Sequence, residues 1–426
     1  MIIKYTKKYI PLVWSIVKLL IFSLIIFSLS ILSLKWYRYG FNSNDYKYVV
    51  FEGDHQSGVL TPAQKNSSFI AFNITAKTLD ELKNLFKILT HRIAYLTKLR
   101  ASQLIHNDKR PPIESGMLGS YLKPDSLTIT VSVGNSLFDS RFGLEKIKPN
   151  LLTDMTSFPN DRLEKEWYSG DLMLQICANT QENVIYALRD ILSHASAYLY
   201  PLWKIDGFIS AIDIDNNSTP INLFGFKDGT GNAPTTDSRL MDELVWVTEN
   251  DLEPSWSVGG SYQVIRLIRF NLAFWDRTPL EDQENDFGRH KATGAPIGKK
   301  HEIDSPDFEK DPHGDRILFN SHMRRAEPRD HARYTAKLIR RSYNYSLGIN
   351  TNGSLNMGLI FVSYQKNLKT GFIDTQKRLN GEPLERYIKT FGGGYYFVLP
   401  GVKKVGQNFL AQQMFEALSD LSKVSS

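Results

Sequence analysis

The sequence predicts an α+β fold built from two related halves. Residues 68–74, 127–133 and 171–177 have the residue pattern of half-buried strands, whereas residues 79–96 and 182–198 repeat apolar side chains at helical spacing. The resulting order, strand–helix–strand–strand–helix, is typical of a ferredoxin-like unit. A chain of 426 residues is long enough for two or three cores of that size.

The second half repeats this order less regularly. Residues 262–274, 357–364 and 395–399 are predicted as strands, and residues 279–287 and 372–380 as helices. Residues 289–319 are rich in His, Lys, Asp, Gly and Pro, which predicts a long solvated loop. Its histidines, His290, His301 and His313, lack the close spacing of a metal site. No exact internal repeat is visible.

An apolar stretch near the N-terminus predicts a membrane anchor. Residues 19–34 are apolar or serine, and Lys4, Lys7 and Lys8 precede them. Extended back to residue 11, the stretch is long enough for a hydrocarbon core of ~30 Å. The preceding lysines predict a cytoplasmic N-terminus with the body of the protein outside. A cleavable export signal that is cut near residues 28–30 is the alternative.

Composition sets the other boundaries. We expect an anchor or signal segment at 1–38, a polar linker and lead-in at 39–66, a first module at 67–215 and a second, ligand-binding module at 216–426.

The net charge is +6 without a long basic run, so nucleic acid is not an expected partner. The one cysteine, Cys177, lies in an apolar run and is expected in the core. It excludes an intramolecular disulfide and any zinc or iron–sulfur site made of cysteines.

Three segments carry the residues with chemical potential. The first is GFKDGTGN at 225–232, where glycines leave room around the carboxylate of Asp228. The others are SHMRRAEPR at 321–329 and RRSYNYSLG at 340–348. Acid, histidine and arginine in this order resemble the dye-decolorizing (DyP-type) haem peroxidases. The most similar subgroup is the deferrochelatase/peroxidase subgroup that accompanies bacterial ferrous-iron uptake systems.

The resemblance extends from about residue 53 to the C-terminus. Further segments that look like those of the family are GGSYQVIR at 259–266, FWDRTPL at 274–280, FGR at 287–289, GAPIG at 294–298 and GGGYYF at 392–397. The resemblance implies two ferredoxin-like modules of the dimeric α+β barrel superfamily type. It also implies one haem b per chain, held at the second module.

The resemblance assigns roles to individual residues. His322 would be the axial ligand of the haem iron. Asp228 would transfer a proton of hydrogen peroxide, and Arg340 would stabilise the charge that develops while also contacting haem. Arg341 is the rival of Arg340, but a strand would send the two side chains to opposite faces.

Haem contacts are also implied for the neighbours of these residues. They are Gly229, Thr230, Gly231, Glu327, Pro328 and Arg329. Arg329 would pair with a haem propionate. Glu327 departs from the family pattern, which has a neutral amide at that place. The acid that orients His322 stays open between Glu382 and Glu385.

The sequence therefore predicts a haem b peroxidase that reduces hydrogen peroxide with an organic electron donor. The resemblance further implies release of iron from haem and partner proteins of an iron-uptake system. The alternative is a non-catalytic haem-binding or iron-uptake accessory protein, for which His322 suffices. We expect the protein at the periplasmic face of the inner membrane, anchored by its first segment, or as a soluble exported protein if that segment is cleaved. Lys7 and Lys8 stand where relatives carry a twin-arginine signal. Assembly as a homodimer is left open.

Overall fold

The computed structural model describes residues 48–98, 100–101, 114–119, 121–122, 125–210, 218–328 and 337–424. The strands in these ranges are β1 (Asn66–Ile74), β2 (Arg100–Ala101), β3 (Tyr121–Leu122), β4 (Thr128–Gly134), β5 (Leu172–Ala178), β6 (Leu199–Phe208), β7 (Ser261–Phe270), β8 (Ile339–Arg340), β9 (Tyr343–Ile349), β10 (Leu355–Gln365) and β11 (Ile388–Val398). Strands β2 and β3 pair with each other, and the remaining nine form one sheet.

The large sheet closes into a barrel with two similar halves. Its order is β7-β11-β4-β5-β1-β6-β9-β10-β8, and a further pairing between β7 and β10 closes the circle. The four strands of the first half, numbered along the chain, lie in the order 2-3-1-4, and β9-β10-β7-β11 in the second half lie in the same order. This is the ferredoxin-like arrangement, so the prediction of two such modules is confirmed.

Helices pack on the outside of the barrel. Those in the described residues are α1 (Leu79–Leu96), α2 (Gln181–Ala195), α3 (Ser238–Leu244), α4 (Leu272–Trp275), α5 (Leu280–Phe287), α6 (His322–Ala326), α7 (Asp374–Leu379) and α8 (Gln412–Val424). The bounds of α1 are the predicted ones, because the Thr78 side chain caps its first turn by accepting a hydrogen bond from the Glu81 N–H at 3.2 Å.

One face of strand β7 points into the barrel, and the other face points toward a cavity on the outside of the barrel. Ile265 and Leu267 belong to the buried cluster inside the barrel, whereas Arg266, Ile268 and Phe270 line a cavity on its outside. This alternation is what a strand imposes on consecutive side chains. The cavity therefore lies outside the barrel, against the second module.

The structure differs from several of the element predictions. The strand predicted at 262–274 ends at Phe270, because the Asn271 side chain accepts a hydrogen bond from the Phe274 N–H and begins α4. The helix predicted to run to residue 198 ends at Ala195, and β6 follows it without having been predicted. Strand β9 was also not predicted.

The predicted membrane anchor at 19–34 lies outside the described residues. Within the ranges given above, no helix is both long and apolar enough to cross a membrane. Residues 48–426 form one compact unit. The predicted boundaries at 38, 66 and 215 stay predictions. Cys177 is fully buried, as expected.

Candidate active site

A cavity lies between the outer face of the second module's sheet and the helices beside it. Its volume is about 1690 Å³ when its opening to solvent is included. The sheet contributes apolar side chains, which are Ile268, Phe270, Leu359, Phe361 and Ile388. The cavity also receives Asp228, His322 and Arg340, the three residues on which the chemical prediction depends.

Asp228 follows a tight hairpin that fixes its backbone. Residues Ile221 and Lys227 form an antiparallel bridge, and the Asp228 N–H donates to the Pro220 carbonyl at 2.7 Å. Phe226, two residues earlier, stacks on Phe287 with ring centroids 4.0 Å apart. The carboxylate is therefore anchored to the aromatic cluster beside the cavity, and its side chain is 15% exposed.

Arg340 is tied to the same loop at three points. Its Nη1 donates to Asp228 Oδ1 at 3.3 Å, and its Nη2 donates to the Thr230 carbonyl at 3.0 Å. The Asn232 amide pairs with the backbone of Arg340, donating to its carbonyl at 2.7 Å and accepting from its N–H at 3.1 Å. Gly229 and Gly231 have φ of +124° and +94°, which non-glycine residues rarely adopt, so the loop can curve around the guanidinium. The role of Asn232 was not predicted from the sequence.

Arg341 directly follows β8, and its side chain points away from that of Arg340, as expected for neighbours in an extended segment. It is buried, and its Nη1 donates to Cys177 Sγ at 3.3 Å and to the Tyr343 hydroxyl at 2.9 Å. Its Nη2 donates to Gln64 Oε1. Arg341 thus belongs to the barrel interior and does not line the cavity.

His322 is paired with a buried acid. Its Nδ1 lies 2.7 Å from Glu382 Oε2, and 5% of Glu382 is exposed. A carboxylate accepts only, so Nδ1 carries the proton and Nε2 is left as the nitrogen that can bind a metal. Burial lowers the pKa of His322, but the charge of Glu382 and its hydrogen bond outweigh burial and raise the pKa above its ordinary value. Glu385 instead accepts from the Gly381 N–H at 2.9 Å.

Two arginines hold the short helix of His322 in place. Arg325 Nη1 donates to the Asn380 carbonyl at 2.7 Å. Arg378 of α7 donates in return, from Nε to the Arg325 carbonyl at 3.1 Å and from Nη2 to the Ala326 carbonyl at 3.0 Å. These bonds satisfy the carbonyls at the end of α6 and fix the distance between His322 and the segment that contains Glu382.

Glu302 holds the loop of Asp228 in place, a role that was not predicted from the sequence. It comes from the segment predicted as a solvated loop, yet it accepts hydrogen bonds from Lys227, Thr219 and Thr230, the last at 2.7 Å. Burial raises the pKa of Glu302, but these three hydrogen bonds outweigh burial and hold the pKa below its ordinary value. Residues on both sides of Asp228 are thereby tied to one carboxylate.

The other predicted haem contacts divide into three groups. Thr230, Gly231 and Glu327 line the cavity. Gly229 and Pro328 are described but are not among its lining residues. Arg329 lies outside the described residues.

The residues around the cavity fit a haem group. An iron porphyrin needs an imidazole nitrogen for the metal, apolar walls for the ring and cations for its two carboxylates. The Nε2 atom of His322 meets the first need, and the sheet-side hydrophobic residues meet the second. A buried arginine in the cavity wall, Arg266, has two nitrogens, Nε and Nη1, that find no hydrogen-bond partner in the described part of the chain.

Comparison with known proteins agrees with this fit. The protein-family model described as Dyp-type peroxidase, N-terminal, matches residues 56–209. The family model described as Dyp-type peroxidase, C-terminal, matches residues 219–403. A deferrochelatase of Escherichia coli K12 is 51% identical over 361 residues, which cover 84% of this chain and 85% of that protein.

Solved structures share the fold. A DyP-type peroxidase from Cellulomonas bogoriensis aligns with a TM-score of 0.77 and 29% identity over 88% of this chain and 100% of that one. Ferric DtpA from Streptomyces lividans aligns with a TM-score of 0.77 and 30% identity, covering 88% and 98% of the two chains. The two family models together span most of the sequence, and the chain belongs to the Dyp-type peroxidase family.

Proposed function

We propose that this haem-dependent peroxidase reduces hydrogen peroxide with electrons from an organic donor, and that Asp228, Arg340 and His322 carry the reaction. The observation that supports the proposal most strongly is the pairing of Asp228 with Arg340 at 3.3 Å in the cavity that also receives the His322–Glu382 pair. A protein that only stores haem needs the second pair but not the first.

His322 would hold haem b through Nε2, with Glu382 fixing its orientation. When bound, haem supplies an iron that coordinates peroxide and exchanges electrons with it. Glu382 makes the imidazole a stronger ligand, because the carboxylate accepts the Nδ1 proton and increases electron density at the other nitrogen.

Asp228 and Arg340 would act on peroxide itself. The Asp228 carboxylate can accept a proton from one peroxide oxygen and return it to the other as the O–O bond breaks, so that water leaves in place of hydroxide. Arg340 provides a fixed positive charge beside the oxygen that becomes negative. Two electrons from the donor and two protons complete the conversion of hydrogen peroxide to two water molecules.

A spectrum of the purified protein tests this function. We expect a Soret band that changes when one equivalent of hydrogen peroxide is added and returns when an oxidisable dye is supplied, with two electrons taken from the dye for each peroxide consumed. A Soret band that peroxide leaves unchanged would favour the alternative, a haem-binding accessory protein without catalysis.

We further propose that the protein removes iron from haem, a proposal supported by its similarity to the E. coli deferrochelatase. In the balanced step, two protons replace ferrous iron on the pyrrole nitrogens and the porphyrin ring stays intact. Incubation with reduced haem should therefore release equal amounts of chelatable ferrous iron and fluorescent protoporphyrin. A ring-opened product would contradict the proposal.

We propose an extracytoplasmic location for the catalytic body, with residues 19–34 as a retained anchor. Support comes from the sequence alone, from the apolar stretch and the lysines before it. The mature protein should stay in the membrane fraction after a high-salt wash, which screens surface charge, and should leave it only in detergent. A soluble periplasmic chain that begins between about residues 28 and 39 would show that the segment is cleaved.

A further inference from the structure

Arg266 is a charged residue of the cavity wall that the catalytic proposal does not use. It lies on β7, and 2% of it is exposed. Together with Ile268 and Phe270 it forms the row of β7 side chains that face the cavity. It is the one basic residue in this row, the other two being apolar.

Among the described residues, the guanidinium of Arg266 donates hydrogen bonds from one of its three nitrogens. Nη2 donates to the Asp161 carboxylate and to Thr390 Oγ1 at 2.8 Å. Nε and Nη1 are buried and have no hydrogen-bond partner among the residues that the structure describes. If Arg266 served only to tie Asp161 to the barrel, the bond from Nη2 would be enough. The two further donors are costly to bury and indicate that a ligand accepts from them.

Two aromatic rings and Asp161 hold the guanidinium of Arg266 in place. The guanidinium carbon lies 5.1 Å from the Phe158 ring centroid and 5.8 Å from that of Phe372. Both phenylalanines line the cavity. Asp161 is itself fixed by accepting from the Phe158 N–H at 2.9 Å. The guanidinium is therefore held rigid before a ligand arrives, which lowers the entropy cost of binding.

We propose that Arg266, held in place by Asp161, is a binding residue for a carboxylate group of haem. The inference rests on the proposed haem site. The resemblance implies such a carboxylate contact only for Arg329, in the segment after His322, whereas Arg266 lies on strand β7 of the barrel. Hydrogen bonds between an arginine and a carboxylate are charge-assisted, and one of them changes affinity by about tenfold to hundredfold.

The test compares two ligands on apo protein, haem with free carboxylates and haem dimethyl ester, each added from the same mild detergent. The Soret titration gives the ratio of the two dissociation constants. In Arg266→Gln this preference for the free acid should fall about tenfold or more, because the diacid binds more weakly while the ester is little affected. Arg269→Gln is the matched control: it lies on the same strand, pairs with Glu164 at 3.1 Å and does not line the cavity. It should keep the wild-type ratio.

Asp161→Asn provides a second measurement that leaves Arg266 in place. Asparagine keeps the oxygen that accepts from Arg266 Nη2 and removes only the neighbouring negative charge, so the preference for the free acid should be preserved or increased. An unchanged ratio in folded Arg266→Gln, or a reduced preference in Asp161→Asn, would overturn the assignment. If Arg266→Gln kept the wild-type ratio of dissociation constants but had a higher KM for an anionic electron donor, Arg266 would bind the donor and the assignment to haem would be wrong. If neither ligand binds the wild-type protein, the proposed function itself fails.

Discussion

Replacing Arg340 with leucine is expected to slow the reaction with hydrogen peroxide about 10²- to 10³-fold while haem stays bound. The guanidinium is fixed in advance by the Thr230 carbonyl at 3.0 Å and by Asp228 at 3.3 Å. Two unit charges 4 Å apart interact by about 4 kcal/mol at an effective dielectric constant of about 20. That energy corresponds to about 10³ in rate. Because 27% of the side chain is exposed, water recovers part of it, which gives the stated range.

The assay is stopped-flow mixing with peroxide, followed at the Soret band, and Arg341→Leu is its matched control. The control makes the same chemical change one residue later, inside the barrel. It should react at the wild-type rate per folded molecule but unfold at a lower temperature, because the acceptors of Gln64 and Thr61 lose their donor at a cost of about 1–3 kcal/mol each. A wild-type rate in Arg340→Leu and a slow rate in Arg341→Leu would refute the reasoning.

Three further substitutions test the surrounding contacts. Asp228→Asn should keep haem and slow the peroxide reaction ~10²–10⁴-fold, because an amide cannot accept the proton; a wild-type rate constant would contradict its role. Glu382→Gln should speed haem transfer to apomyoglobin about 10- to 100-fold by weakening the His322 ligand, and equal transfer rates would exclude that effect. Glu302→Gln should lower the melting temperature at neutral pH. Because the pKa of Glu302 is held below its ordinary value, the stabilisation is complete above the ordinary titration range of glutamate and is lost as pH falls through the folded-state pKa. The difference in melting temperature between the wild type and Glu302→Gln should therefore shrink in acid. A difference that grows would contradict the stabilising role of the Glu302 hydrogen bonds.

The fold was predictable where local patterns are strong. The repeat of Leu82, Leu85 and Leu89 predicted α1 with its observed bounds. Strand β6 was missed because Pro201 interrupts its pattern, and prolines argue against a strand. The structure accommodates Pro201 at a β-bulge, where the register with β1 shifts between Ala71 and Phe72. That shift depends on the partner strand and has no local signal.

The reactive groups of the site were predictable from the sequence, but the residues that hold them in place were not. The expected alternation of side chains separated Arg340 from Arg341, and the structure places Arg340 at the cavity and Arg341 inside the barrel. The choice between Glu382 and Glu385 depended on a contact across 60 residues of sequence. Glu302 gave no signal, because an acid in a polar loop looks solvated until the loop folds back over Lys227.

Haem retention in His322→Ala tests the central claim most directly, with His290→Ala as its control. Both histidines pair through Nδ1 with a glutamate, His322 with Glu382 at 2.7 Å and His290 with Glu284 at 2.8 Å, but only His322 lines the cavity. We predict that His322→Ala purifies folded with little haem and a weak Soret band, while His290→Ala keeps one haem per chain. Full haem content and an unchanged Soret band in His322→Ala would contradict the account.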